Sequence, residues 1–162
     1  MKRLTRILKR GNTPVLVLAI ATGALVALVV AGFEVLTDRV LLARLGERPL
    51  WQIALAPAVG LSAAAIILRV LGRGTASATS DEFVRAFHQR TPRLPLRELP
   101  AKLLAGVATI GLGGALGLEG PSIYAGSATG LAISERFRRW LRREDVQVLL
   151  TAGAAAGVAA VF

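Results

Sequence analysis

The chain has 162 residues; 54% are hydrophobic, 19% are charged, and the mean hydropathy is +0.58. A soluble globule carries about 25% charged residues and disorder requires low hydrophobicity, so both classes are excluded. Cysteine is absent and His88 is the single histidine, which excludes disulfides, Cys-ligated zinc, iron–sulfur clusters and a Ser–His–Asp triad.

Twenty Lys and Arg against ten Asp and Glu give a formal net charge of +10. The basic groups fall between long apolar runs, as membrane flanks do. They lack the interleaved aromatics of a single-strand-binding surface, so no nucleic acid partner is expected. No nucleophile–base pair shows useful spacing, so neither an enzyme nor a metal or cofactor is expected.

Residues 1–13 form a basic flank. MKRLTRILKR opens with Lys2, Arg3, Arg6, Lys9 and Arg10, with Leu4, Ile7 and Leu8 at helical spacing. It reads either as an amphipathic helix on an anionic leaflet or as a plain positive flank. Residues 14–162 then form one partial membrane domain. Pro14–Leu36 is apolar up to Glu34, long enough to span, and striped with Ala19, Gly23, Ala27 and Ala31, which let helices approach closely. Thr37–Pro49 reads as a short charged connection. Leu50–Leu71 is a second span, with Trp51 as interfacial anchor, Pro57 predicting a kink and Arg69 able to snorkel.

Residues 72–102 are polar. Ser80 reads as a helix N-cap followed by Asp81 and Glu82, which suit a first turn. Residues 103–117 and 120–134 are each too short to span alone and read as a re-entrant pair of half-helices. Val146–Phe162 is apolar and ends without a flank, as a truncated chain would. The first ten residues carry +5, residues 69–102 +4, the first connection +1 and residues 135–145 +2. The positive-inside rule therefore places the N-terminus in the cytoplasm.

Glu119 is the only charge between Lys102 and Glu135, in a stretch rich in glycine from Gly106 to Gly130. A carboxylate at membrane depth costs roughly 2.5–3.5 kcal/mol on insertion scales, so it should face protein or water. Pro121 suits the first turn of a helix, which would aim free N–H groups at the place where Glu119 sits. Such an end is an anion site, and a tethered carboxylate can occupy it or leave it on protonation.

GLGGALGLEGPSIYAGSATG, residues 111–130, resembles the glutamate-bearing motif of the CLC chloride channel and chloride/proton antiporter family. RLPLRELPAKLLAGVATIG (93–111), with Lys102 17 positions before Glu119, and LRREDVQVLLTAGAAAGVAAVF (141–162) are similar to the flanking family stretches. The resemblance covers about residues 14–162 and only the first part of the family's membrane domain. It implies an all-α, multi-pass membrane protein, the first part of an inverted-repeat transporter fold.

The implied function is chloride transport, as a channel or a chloride/proton antiporter. Chloride or a similar anion, protons and the lipid bilayer would be the partners, and the full-length form would be a homodimer. Glu119 matches the gating glutamate; Gly117, Leu118, Gly120 and Pro121 match its anion-facing frame. Leu118 stands where the family usually has Arg. Ser77-Ala78-Thr79-Ser80-Asp81 stands where a Gly-Ser-Gly-Ile-Pro motif is expected, so a hydroxyl ligand would come from Ser77, Thr79 or Ser80. Asp81 and Glu82 would repel an anion there. The competing reading is a membrane structural or interaction protein, a remnant without transport.

Overall fold

A computed structural model describes residues 13–89 and 91–162. The basic flank at residues 1–10, read as an amphipathic helix or a plain positive flank, lies outside these. All the regular secondary structure among the described residues is helical, with no strand.

α1 spans Thr13–Gly46 as an α-helix to Glu34, a π-helical stretch Val35–Leu42, and a last α-turn Ala43–Gly46. The expected connection at 37–49 is therefore largely helix. Its residues are mainly Leu, Arg, Ala and Val, and nothing between Gly32 and Gly46 breaks a helix. Charge alone does not end one. At 1.5 Å per residue α1 is about 51 Å long, well beyond the hydrocarbon core. α2, Leu50–Val70, runs unbroken through Pro57. Both helices are long and apolar enough to cross a membrane, and most of their side chains face away from the rest of the chain. Ile20, Leu28 and Ile66, for example, are well exposed.

α3 is Ser80–His88. Its N-cap is Thr79, not Ser80, and neither hydroxyl caps the backbone. A single 3-10 turn, Leu96–Glu98, leads into α4, Leu99–Gly111. α5 is Glu119–Arg136 and α6 is Arg143–Ala159. The break between the half-helices thus comes earlier than expected. α4 ends at Gly111 because Gly113 takes a positive φ of 85°, which glycine adopts without a Cβ penalty. Gly114 then returns its N–H to Thr109 O at 2.9 Å. Glu119 accordingly belongs to the first turn of α5, not to a loop.

α5 and α6 pack most closely. Gly126 and Gly130 lie against the carbonyls of Gly153 and Leu149, while Gly153 and Gly157 lie against those of Gly126 and Ser122. No side chain fits between them, as in the small-residue packing of membrane helices. Around this pair a core of Ala86, Leu94, Tyr124, Ala128, Leu131 and Leu150 ties in α3 and the segment before α4. α1 and α4 reach the start of α5 at Gly106, where a Cβ would lie 3.1 Å from Phe33 and 3.3 Å from Pro121.

Candidate functional site

Two helices begin at one place. The first N–H groups of a helix lack intrahelical partners. In α5 the first N–H taken up is that of Ser122, to Leu118 O at 3.1 Å; in α3 it is that of Phe83, to Thr79 O at 3.3 Å. Pro121, third in α5, has no N–H to satisfy. The two helix ends touch at Gly120, where a Cβ would lie 2.7 Å from Thr79 Oγ1 and 3.8 Å from Ser80 Oγ. Glycine at 120 is what lets the Thr79 hydroxyl sit against the α5 backbone.

Glu119 is exposed and folds back over Gly117, so that a Cβ at 117 would overlap its carboxylate. It stands between two cavities. The larger, about 910 Å³, is lined by Ser77, Thr79, Ser80, Gly117, Gly120 and Pro121 together with Arg69 and Lys102. The smaller, about 370 Å³, is lined by Leu118, Gly117, Gly113, Gly114 and Asp38. The structure thus brings every expected site residue except Leu118 to the larger cavity, and Glu119 and Gly117 to both. Among the three candidate hydroxyls, Thr79 lies nearest the start of α5.

Lys102 organises the α3 side. Its side chain is almost fully buried, and Nζ donates to Ala76 O at 3.0 Å, Ala78 O at 2.6 Å and Glu82 Oε2 at 2.9 Å. The same ammonium sits 4.4 Å from the centre of the Tyr124 ring, and Tyr124 O–H donates to Pro95 O at 3.2 Å. This holds the 76–78 backbone and the start of α3 in place. It also pairs one of the two carboxylates expected to repel an anion at that helix end: Glu82 is bound to Lys102, while Asp81 is exposed. Sequence reasoning gave Lys102 no role at the site beyond its family spacing, although a lone charge in the apolar run 99–111 is itself a signal. Arg69, expected to snorkel to an interface, is exposed and also lines the larger cavity. Asp38, expected in a connection, reaches the smaller one from the π-helical stretch, where function often collects.

Residues 59–162 match the family model described as voltage gated chloride channel. Over 99% of its length the chain is 30% identical to an H(+)/Cl(-) exchange transporter, ClcA, of Salmonella paratyphi B, of which it covers 36%. A 67-residue stretch, 41% of the chain, is 46% identical to the ClcA of Vibrio cholerae, covering 14% of that protein. The fold matches the crystal structure of a slow cyanobacterial Cl-/H+ antiporter with a TM-score of 0.72 and 24% identity, over 91% of this chain and 36% of that one. The chain therefore spans about a third of the length of its full-length relatives. The match over residues 59–162 takes in both cavities' glycine-rich wall and Glu119, and on it the chain belongs to the voltage-gated chloride channel family.

Proposed function

We propose that this chain carries part of the anion pathway of a chloride/proton antiporter, and that Glu119 is its gate. The observation that carries the reading is the position of Glu119 at the free N–H end of α5, lining two cavities and next to Gly120, which meets the Thr79 hydroxyl of the α3 end. As a carboxylate Glu119 competes with chloride for the same donors. As a neutral acid it competes poorly, so acid opens the site. Gly117, Gly120 and Pro121 frame the anion, and Thr79 is the favoured hydroxyl ligand, ahead of Ser80 and Ser77. Lys102 acts as a positioning residue through the 76–78 backbone.

Transporter sites form at the interface of repeats, so the pathway needs the rest of the polypeptide. The reading includes a multi-pass protein with a cytoplasmic N-terminus, supported by the basic flanks, and a homodimer in the full-length form, supported by the family resemblance. The test is a chimera in which residues 13–162 replace the matching region of the Salmonella paratyphi B transporter, reconstituted in proteoliposomes. Glu119→Gln should make chloride efflux nearly independent of pH and uncouple it from proton movement, while Glu119→Asp should be intermediate. Retention of the parent's pH dependence and coupling in Glu119→Gln would reduce the motif to a structural turn.

A further inference from the structure

The turn joining α5 to α6 lies at the far end of α5, about 27 Å from Glu119 at 1.5 Å per residue, and takes no part in the anion site. Residues 120–134 of α5 and 146–162 carry no charge. The turn between them is where this apolar pair would leave the hydrocarbon.

Within the turn a concavity of about 730 Å³ is lined by Glu135, Arg136, Phe137, Arg138, Arg139 and Trp140, all exposed. Its backbone is held by Phe137 N–H to Ile133 O at 3.1 Å and Trp140 N–H to Phe137 O at 2.9 Å. The Phe137 and Trp140 rings lie 6.2 Å apart between centroids, and Trp140 is 74% exposed. They form an apolar edge beside three guanidinium groups. Arg142 and Arg143 follow directly.

Three carboxylates lie nearby, yet none makes an ion pair with these arginines among the described residues. Glu135 lines the concavity itself. Asp145 is directed at the backbone, accepting Arg142 N–H at 2.7 Å as the cap of α6, and Glu144 sits in the first turn of that helix. Arg136 ends α5 and offsets the partial negative charge of its C-terminus. Arg138 and Arg139 lie beyond the helix and have no such role.

Guanidinium forks match phosphate oxygens bidentately, and tryptophan settles at headgroup level. A soluble anion would use the arginines and leave the aromatic edge unexplained; a lipid uses both. We propose that the α5–α6 turn binds the headgroup phosphate of an anionic phospholipid, through Arg136, Arg138 and Arg139, with Phe137 and Trp140 lying along the boundary between headgroups and acyl chains.

The test uses the fact that the chain has two tryptophans, Trp51 and Trp140. Trp51→Phe leaves Trp140 as sole reporter in the full chain, reconstituted in phosphatidylcholine vesicles. Matched minor amounts of brominated phosphatidylglycerol or brominated phosphatidylcholine then serve as quenchers. Quenching of Trp140 should be roughly twofold or more stronger with the anionic lipid, as local enrichment by basic residues requires. The preference should vanish in R136Q/R138Q/R139Q. Equal quenching by the two lipids, or a preference that survives the triple substitution, overturns the proposal. If the triple variant loses helical circular dichroism, Arg139→Gln alone is read in its place, with at least a partial loss of preference expected. Inorganic phosphate, against chloride at equal ionic strength, should leave the preference intact; its selective loss in phosphate would assign the site to a free anion and overturn the lipid. The readout does not depend on transport, so it stands apart from the fate of Glu119.

Discussion

α5 meets α6 and α3 in opposite ways. Along its body Gly126 and Gly130 press directly on the α6 backbone, and Gly153 and Gly157 return the contact. At its N-terminus, Gly120 meets the Thr79 and Ser80 hydroxyls of the α3 end, and a large open cavity adjoins that contact. The first contact leaves no room for a side chain; the second leaves room for an ion. The two are linked, because a helix end can present unpaired N–H groups to a cavity only if the remainder of the helix cannot move to bury them. Backbone packing along α5 supplies that restraint, and Lys102 supplies it for α3.

The largest effect should come from breaking the α3 restraint. Lys102→Met keeps a long apolar side chain but removes the ammonium, and with it the contact with the Tyr124 ring. Glu82, whose side chain is 18% exposed, then loses its partner, and the Ala76 and Ala78 carbonyls lose their donor. Breaking a buried ion pair costs 3–5 kcal/mol; with Glu82 partly exposed, about 2–4 kcal/mol is expected. Unfolding in detergent followed by circular dichroism measures it, and Glu82→Gln in the same chain should recover part of the loss. A Lys102→Met protein as stable as the parent would mean that the α3 end is held by something other than this network.

Next in size is the α5–α6 contact. Gly153→Val puts a branched side chain where the Gly126 carbonyl lies. Overpacking costs roughly 1–3 kcal/mol, and the upper end is expected because the obstacle is backbone, not a mobile side chain. Gly32 is the control: it lies in α1 with nothing among the described residues within 4 Å of an added Cβ. Gly32→Ala should therefore be neutral, or stabilising by about 0.5–1 kcal/mol through helix propensity. Equal losses at the two glycines would dissolve the distinction between a tight pair and a loosely partnered helix.

Much of this division is legible in sequence, and what is not has a physical reason. Glu119 stands out because a single carboxylate in an apolar, glycine-rich run is costly to place at membrane depth and marks a pathway there by default. The two long helices are visible from hydropathy, which is local. The end of α1 is not, because Asp38, Arg39 and Arg44 look like a loop when charge is read without propensity, although the chain around them contains good helix formers. The end of α4 is missed because several glycines are available and only Gly113 takes a positive φ. The Lys102 network joins residues 20 to 26 positions apart. No periodicity within one helix reports such partners; only the folded chain brings Ala76, Ala78 and Glu82 to one ammonium.

The smallest effect tests the place where the two contacts of α5 meet. Ser122 is fully buried, its carbonyl lies against Gly157, and it follows Glu119 by three residues. Its hydroxyl has no hydrogen-bond partner among the described residues. The buried Ser127 and Ser134 of the same helix differ, donating to Ile123 O and Leu131 O, each at 2.7 Å. The carbonyl one turn before Ser122 is that of Leu118; it accepts the Ser122 N–H but not the hydroxyl. A buried hydroxyl without a partner carries a desolvation cost that no bond returns, whereas a bonded one contributes about 0.5–1.5 kcal/mol. Ser122→Ala deletes one oxygen and opens almost no space, so it should raise stability by up to about 1 kcal/mol. Ser127→Ala should lower it by a similar amount. Opposite signs for two serines five residues apart, read from the same unfolding curves, would place the dry, side-chain-free contact as far forward as Ser122. A loss at Ser122 matching that at Ser127 would show that its hydroxyl finds a partner, and that the open region of the site reaches one turn further into α5 than its packing indicates.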